Sequence, residues 1–235
     1  MEPALDEAGF TELTEGVWVA TAPARIVGMR LTATMTILRL ASDDLLVHSP
    51  VALTEKRRSK VEQMGRVAHI YAPNLYHHLC AGHWAGAFPD ARLHAPNGLT
   101  KKRPDLAVHR IHGSETEPDF SGLVEEIPIE GFRLRESVLF HRDTGTLVVA
   151  DLVHNVGRPK GSWARSYTKL MGFYDAVALS RMIRWTAFSD RALAQRSLER
   201  VLDLPIERIV VGHGTPVTAS ARDKLSEAFR WLKRA

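Results

Sequence analysis

The sequence contains almost no cysteine. Cys80 is the single cysteine among 235 residues, which excludes an internal disulfide and a cysteine-rich zinc site. No apolar run approaches the roughly 20 residues that a membrane-spanning helix needs. The opening segment MEPALDEAGF also lacks the basic-then-apolar pattern of a signal peptide. We therefore expect a cytoplasmic protein that has no membrane partner and works in a reducing compartment.

A strong charge of one sign is also lacking. Lysine and arginine together number 31 against 27 aspartates and glutamates, a net charge of +4 that is spread along the chain. So mild a basicity does not indicate nucleic acid as the main partner. Repeats, low-complexity tracts and linkers are not seen, and the hydrophobic fraction of 45% is ordinary for a globular protein. We therefore expect one domain over residues 1–235.

The apolar pattern predicts a succession of strands and helices. Strands are predicted at residues 16–20, 34–40, 45–48, 67–71, 92–95, 124–129, 137–141, 146–151 and 208–213. Helices are predicted at residues 54–64, after His77, and at 170–179, 190–202 and 219–233. Irregular polar or basic segments are predicted at residues 1–15, 99–119 and 156–168. This order predicts two sheets sandwiched between helices.

Three of the predicted strands end in a side chain that can bind a metal ion. The strand at 67–71 breaks at Pro73 and is followed by His77, TLVVAD ends in Asp151, and RIVVGH ends in His213. Loops at strand ends expose side chains that rigid elements hold in place. Deprotonated imidazoles and carboxylates that converge from separate elements are ligands for divalent metals. The three strand ends therefore predict a metal site.

The segments around these residues resemble the metallo-β-lactamase superfamily. That family has an H-x-H-x-D-H loop after a strand, then a hairpin and apolar strand ending in Asp, and a late strand ending in Gly-His-Gly. The corresponding segments here are APNLYHH with FPDARLHAP, TGTLVVAD and IVVGHG, in the same order over residues 16–217. The resemblance implies the α/β class and an αββα sandwich of two mixed β-sheets flanked by helices.

The histidine loop departs from the family pattern. Ala72 and Asn74 stand where the family has its two first-site histidines, and Tyr76 stands where it has aspartate. The further histidine expected before the hairpin has no match in IEGFRLRE. The residues that do match the second metal site of the family are His77, Asp151 and His213. The resemblance thus implies a reduced, mononuclear site for one divalent ion, with zinc as the first choice and iron or manganese as alternatives.

Three further residues are candidates for proton transfer at this site. His78 and Tyr76 adjoin the ligand histidine, and His48 ends the strand at 45–48. Two alternatives stay open: a one-residue shift would make His78 the ligand in place of His77, and His154 could approach the same face.

Two functions follow from these patterns. The first is a hydrolase that acts on a small or anionic substrate, with the basic run at 101–103 either binding the anion or forming a solvated loop. The second is a non-catalytic binding or interaction module that has lost the metal, with Asp151 capping backbone groups and the two histidines hydrogen-bonded locally. The sequence defines neither the substrate nor an oligomeric state.

Overall fold

Two mixed β-sheets form the centre of the structure, a computed structural model that describes residues 6–115, 117–120 and 122–232 without the side chain of Ser42. Sheet 1 has seven strands whose spatial order is their order in the sequence. They are β1 (Phe10–Thr14), β2 (Val17–Ile26), β3 (Met29–Arg39), β4 (Asp44–His48), β5 (Arg66–Tyr71), β6 (Arg92–Ala95) and β7 (Arg110–Ile111). The pairs from β1 to β4 are antiparallel, and those from β4 to β7 are parallel.

Sheet 2 has four strands in the spatial order β11-β10-β9-β8. They are β8 (Val124–Pro128), β9 (Ser137–His141), β10 (Thr146–Val148) and β11 (Arg208–Val210). The pair of β10 and β11 is parallel, and the other two pairs are antiparallel. Because the carboxyl ends of parallel neighbours meet at one edge of a sheet, the loops after β10 and β11 emerge side by side.

Seven helices are found in the described part of the chain. They are α1 (Glu55–Met64), α2 (Ala81–Ala87), α3 (Leu99–Lys102), α4 (Ser162–Met171), α5 (Arg181–Thr186), α6 (Arg191–Leu202) and α7 (Ala221–Ala228). Within the same described residues, no helix combines the length and the apolar character needed to cross a membrane.

Three apolar clusters show how these elements are layered. One packs the outer face of sheet 1 against α1 and α2, with Val61 and Trp84 as helix contributions. A second packs the outer face of sheet 2 against α6 and α7, through residues such as Leu198 and Leu225. A third lies between the sheets and includes Leu46 from sheet 1. The predicted αββα sandwich of two mixed sheets is confirmed.

Local signals explain several element boundaries. Thr54 caps α1, because its hydroxyl oxygen accepts a hydrogen bond from Arg57 N at 3.2 Å. Asp190 caps α6 in the same way, through Leu193 N at 2.9 Å. The predicted starts of these two helices therefore agree with the structure.

Other boundaries differ from the sequence prediction. β2 and β3 form a hairpin that also includes residues 21–33, where apolar alternation is weak, and Val27 and Gly28 both take a positive φ at its two-residue turn. β1 lies inside the predicted polar lead-in, whose residues 1–5 are outside the described part of the chain.

The predicted basic loop and the helix after it are also displaced. α4 begins inside the loop predicted at 156–168, and the helix predicted at 170–179 is wrong beyond Met171. Ala164 of this helix packs with Met29 of the β2–β3 hairpin and with Phe173. This packing, between segments distant in sequence, overrides the local signal. The closing helix is shorter than predicted, and Lys233 lies outside the described residues.

Candidate metal centre

Three side chains from three separate strand ends meet in the structure. His77 lies in the loop after β5, Asp151 just after β10, and His213 just after β11. We call this set the strand-end cluster. The Nε2 atoms of the two histidines are 3.2 Å apart. Asp151 places Oδ2 at 3.4 Å from His77 Nε2 and Oδ1 at 3.5 Å from His213 Nε2.

These separations fit a bound metal ion. An ion about 2.1 Å from each ligand atom, in tetrahedral geometry, places the ligand atoms about 3.4 Å apart. The two Nε2 atoms are 3.2 Å apart, and each lies close to that value from one oxygen of Asp151, 3.4 Å to Oδ2 for His77 and 3.5 Å to Oδ1 for His213. Two imidazole nitrogens and a carboxylate oxygen also suit zinc, iron or manganese. The side chains present can therefore hold one divalent ion.

Each imidazole of the cluster is held at its other ring nitrogen. Ser49 Oγ lies 2.7 Å from His77 Nδ1, and His213 Nδ1 lies 2.8 Å from the backbone oxygen of Thr32. Since a carbonyl oxygen can only accept, Nδ1 carries the proton in the neutral tautomer of His213, and the lone pair is then on Nε2. Contacts of this kind fix the orientation and the tautomer of metal-binding histidines.

The glycine before His213 lets two loops come close together. A Cβ at Gly212 would lie 2.6 Å from the backbone oxygen of Ala150 and 2.9 Å from His77 Cε1. Glycine leaves the room that this close approach requires. The backbone oxygen of Gly212 accepts a hydrogen bond from Thr34 N at 2.9 Å. Thr34 belongs to β3, so this bond joins sheet 1 to the loop that presents His213.

A buried glutamate holds the backbone turn that presents Asp151. Glu136 Oε1 accepts hydrogen bonds from Ala150 N at 2.8 Å and Leu152 N at 3.2 Å. Its Oε2 accepts another from Asp151 N at 2.8 Å. Three backbone donors thus converge on one carboxylate, which fixes the direction of the Asp151 side chain. The sequence analysis did not identify this residue.

Asn74 connects the same glutamate to both sides of the cluster. Its Nδ2 donates to Glu136 Oε2 and to Asp151 Oδ2, each at 2.9 Å. Its Oδ1 accepts from the backbone nitrogens of Tyr76 and His77, at 2.8 and 2.9 Å. The residue that replaces a family histidine is therefore both a turn former and a support for Asp151.

The charges of the cluster favour an ionised Asp151. Burial alone would raise the pKa of Asp151, but His77 and His213 hold it well below its usual range. Burial likewise opposes protonation of His77, yet the charge of Asp151 outweighs it and raises the pKa of His77. Burial and the neighbouring Asp151 charge raise the pKa of Glu136. The cluster therefore offers a negative charge between two imidazoles, which is where a cation is favoured.

His48 lies beside the cluster but is enclosed. It is buried, its ring stacks on Tyr71 with centroids 5.7 Å apart, and neither ring nitrogen has a hydrogen-bond partner among the described residues. Burial and the neighbouring His77 lower the pKa of His48 to about 3. Its chain neighbour Ser49 is the residue that contacts His77.

Tyr76 and His78 contact residues outside the strand-end cluster. Tyr76 is 60% exposed, and its ring lies 4.8 Å from Lys102 Nζ. His78 is buried, with Nδ1 at 3.4 Å from Arg103 Nη1. Among the described residues, no hydrogen bond or ion pair joins either side chain to the strand-end cluster. Their assignment to proton transfer stays a prediction.

The basic run at 101–103 is largely occupied by contacts within the protein. Lys102 Nζ donates to the backbone oxygen of Leu75 at 2.6 Å, and Arg103 pairs with Asp105 at 2.5 Å. Lys102 ends α3 and Arg103 follows it, so the predicted loop is helical here, and both side chains contact neighbouring groups rather than forming a free anion site.

His154 is the additional histidine next to the cluster. Its ring centroid lies 5.8 Å from that of His213, and burial lowers its pKa to about 4. Together with Asp151 and His213 it lines a cavity of about 80 Å³. Most of the remaining lining is apolar, with contributions from Met29, Leu31, Val156, Phe173 and Ile183. An apolar group could therefore approach the cluster from this side.

Comparisons with known proteins agree with this architecture. A family model described as a domain of unknown function, DUF4336, matches residues 14–99. No curated protein sequence matches the chain at a significant level.

Solved structures resemble the chain over nearly its whole length. A metallo-β-lactamase from Pontibacter korlensis is similar at a TM-score of 0.63 and 13% identity, covering 96% of this chain and 99% of that one. The metallo-β-lactamase FIM-1 from Pseudomonas aeruginosa, in a mono-zinc form, is similar at a TM-score of 0.64 and 12% identity. The match covers 100% of this chain and 97% of that one. The metal-soaked Flv1 flavodiiron core from Synechocystis is similar at a TM-score of 0.67 and 14% identity. The match covers 95% of this chain and 60% of that one.

These similarities extend to both sheets and to the helices on their outer faces. The resemblance inferred from the three strand-end segments is thereby confirmed at the level of the fold. The chain has the metallo-β-lactamase fold.

Proposed function

We propose that the protein is a metal-dependent hydrolase with a mononuclear site formed by His77, Asp151 and His213. The observation that carries this proposal is the convergence of the two Nε2 atoms, 3.2 Å apart, with the Asp151 carboxylate, whose oxygens lie 3.4 Å from His77 and 3.5 Å from His213. Zinc is the expected metal, with iron or manganese as alternatives. The mono-zinc form of FIM-1 supports one zinc as a sufficient occupant of this fold.

The residues around the cluster prepare it for a single ion. Ser49 and Thr32 orient the two imidazoles, and Glu136 with Asn74 orients the carboxylate. A bound divalent ion would supply a Lewis acid and lower the pKa of a bound water. Asn74 and Glu136 fill the neighbouring space with a hydrogen-bonded amide and carboxylate. A mononuclear site follows from this arrangement.

Proton transfer has one further candidate besides His48, Tyr76 and His78. His154 lines the cavity beside Asp151 and is neutral at neutral pH, because burial lowers its pKa to about 4. A neutral imidazole next to the cluster can accept a proton from a reacting group. Of the four candidates, His154 is the one that shares a cavity with two members of the cluster.

The substrate we propose is a small molecule with a hydrolysable ester, lactone or phosphodiester bond. The largely apolar lining of the cavity favours an apolar group next to that bond. A β-lactam is not the expected substrate, since Ala72 and Asn74 replace the two histidines that the family uses in its first site. The single cysteine further favours a reducing, cytoplasmic location.

Metal content tests the proposal directly. The protein is purified without chelators or added metal and analysed for zinc, iron and manganese, beside His213→Ala and a matched control, His83→Ala. His83 is exposed on α2 and has no contact with the cluster among the described residues. We expect the protein and the control to retain a metal that His213→Ala loses at this site, together with hydrolysis in a screen of esters, lactones and phosphodiesters.

The opposite result would favour the binding module. The hydrolase proposal would be wrong if the wild-type protein contained no metal and its thermal stability did not change on adding zinc or manganese.

A further inference from the structure

A second group of side chains that could bind a metal combines two histidines from within neighbouring strands with a glutamate from a loop. His69 belongs to β5, His94 belongs to the neighbouring strand β6, and Glu117 belongs to the loop between β7 and β8. Each offers one ligand atom, and these atoms lie within 4.8 Å of one another. We call this set the mid-strand cluster. It shares no residue with the strand-end cluster.

The mid-strand cluster is almost completely buried. The two histidines are 0% exposed and Glu117 is 1% exposed. The ring of Phe120, which belongs to the apolar layer between the sheets, lies 5.3 Å from the ring of His69 and 5.6 Å from that of His94. The Phe120 ring thus covers these three polar side chains, and a carboxylate oxygen without a partner is costly in such a buried place.

Two atoms of the cluster have no hydrogen-bond partner within the part of the chain that the structure describes. They are His69 Nε2 and Glu117 Oε2. Asp119 Oδ2 lies 3.2 Å from His69 Nε2, but this contact does not have hydrogen-bond geometry. Buried polar atoms are nearly always partnered. One cation that accepts a lone pair from each atom would account for both.

The surroundings of Glu117 resemble the outer contacts of a metal ligand. Its Oε1 accepts a hydrogen bond from Arg92 Nη1 at 2.7 Å, while Oε2 lies 3.9 Å from His94 Nδ1. One oxygen is thus anchored and the other remains available, as is usual for a carboxylate that binds a metal through one atom. The nearby Arg110 pairs with Glu126 through Nη2 at 2.5 Å, and its Nη1 lies 3.4 Å from His94 Nδ1, so an ion bound at that nitrogen would replace this contact.

The cluster can be closed by a fourth ligand and can be reached from outside. Asp119 is half exposed and offers a carboxylate oxygen next to His69. A surface cavity of about 430 Å³ is lined by Glu117, Phe120 and Arg110, so an ion could approach the cluster from the side of Glu117. A metal site with four protein ligands and no open position is typical of a structural site.

We propose that His69, His94 and Glu117, completed by Asp119, form a second, structural site for a divalent ion of the zinc type. Binding draws the ligand atoms from their present spread of up to 4.8 Å toward the roughly 3.4 Å of a tetrahedral site. The ion connects β5 and β6 to the loop at 117–120.

The same side chains also permit an arrangement without metal. His94 Nε2 and His69 Nδ1 are 2.9 Å apart, so a proton on one can be shared with the other. The other nitrogen of His69 then faces Asp119. This chain of contacts leaves Glu117 Oε2 without a donor and binds no ion. Metal content therefore separates the two arrangements.

The test uses the full chain with the strand-end cluster disabled. Metal-free His213→Ala protein is incubated with excess zinc chloride, desalted and analysed for zinc. We expect about one zinc per chain in this variant and about two in the wild type. Adding Glu117→Gln or His94→Gln to the His213→Ala background should remove the remaining zinc. Adding His83→Gln, a change of an exposed histidine, should leave it in place.

Thermal unfolding shows whether the retained zinc is structural. Zinc should raise the Tm of His213→Ala by several degrees and leave that of His213→Ala/Glu117→Gln unchanged. If one histidine variant does not fold, the glutamate variant, which keeps both imidazoles, still decides the question.

The outcomes distinguish this proposal from the proposed function. Folded His213→Ala that binds no zinc, beside wild type with one, overturns the second site and leaves the first intact. One zinc in both proteins, lost with Glu117→Gln, upholds the second site and overturns the first. Zinc in neither protein overturns both.

Discussion

The strand-end cluster and the mid-strand cluster use similar side chains in opposite settings. His77, Asp151 and His213 lie after strands, next to a cavity, and their ligand atoms are already 3.2 to 3.5 Å apart. The mid-strand cluster lies inside β5 and β6, is 0–1% exposed and is spread over as much as 4.8 Å. The first arrangement leaves room for a substrate, whereas the second can only hold an ion.

The difference shows that position along a strand decides what a histidine can do. A strand-end side chain is supported by hydrogen bonds from loops, such as those of Ser49 and Glu136. A mid-strand side chain is fixed by the sheet itself and is closed off by the opposite sheet. The following predictions test whether this contrast holds.

The largest effect we expect is a loss of stability in acid. Burial lowers the pKa of His48 to about 3, of His94 to about 2 and of His154 to about 4, from 6.5 in the unfolded chain. The unfolded state therefore binds more protons below pH 6.5, so stability is full above that pH and falls as the pH drops toward 4. Each imidazole contributes about 1 kcal/mol per pH unit to the free energy of unfolding.

Urea unfolding of metal-free protein between about pH 7 and pH 5 measures this slope. His94→Gln should reduce the slope by about 1 kcal/mol per pH unit, the contribution of one buried imidazole. His69, His78, His112 and His141, whose pKa is also lowered by burial, should still contribute. An unchanged slope would show that His94 is not kept neutral by the mid-strand cluster.

The second effect concerns the charged ligand of the strand-end cluster. Asp151→Asn removes the negative charge between two imidazoles, and we expect zinc affinity at this cluster to fall about 10³-fold, beyond the 10–100-fold typical of residues around a ligand. Competition with a zinc indicator measures the affinity. The mid-strand cluster should bind as before, and a parallel loss there would mean that the two clusters are coupled.

The third effect tests the buried anchor of the strand-end cluster. Glu136→Gln replaces one carboxylate oxygen with an amide N–H₂, which then faces either Ala150 N and Leu152 N or Asp151 N and the Asn74 amide. Because two donors lose their acceptor in either orientation, the free energy of unfolding should fall by about 3 kcal/mol. Urea unfolding measures the loss. Glu130→Gln, an exposed change in the same segment, is the control and should have no measurable effect.

The smallest effect tests the orientation of one imidazole. Ser49→Ala removes the 2.7 Å contact with His77 Nδ1, and zinc affinity at the strand-end cluster should fall about tenfold. The stability of the metal-free protein should change little. An affinity equal to that of the wild type would mean that packing alone orients His77.

The sequence predicts the elements whose signals are local. The helices that Thr54 and Asp190 cap begin where the sequence predicts them. The strands before His77, Asp151 and His213 begin within one residue of their predicted starts, but β10 and β11 end three residues before Asp151 and His213. The long β2–β3 hairpin and α4 are not predicted in full, because they are stabilised by packing on each other rather than by a local pattern.

The candidate site is predictable only in part, for a related reason. The ligand candidates stand out at strand ends, but Glu136, Ser49 and Thr32 support residues 15 to 181 positions away in sequence. A lone acidic or hydroxyl residue carries no periodic signal for such a partner. His69 and His94 are also hidden, because each occupies a single position in a short strand that is otherwise mostly apolar after its first arginine.

The hydrogen bond from Thr34 N to Gly212 O links the two sheets beside His213. Its amide proton is therefore an internal reporter of the site: it exchanges with solvent only when the hairpin and the histidine loop separate. Ligand-induced ordering of the strand-end cluster should slow that exchange, while occupancy of the mid-strand cluster should not. Amide exchange at Thr34 could thus follow the state of the site before any substrate has been identified.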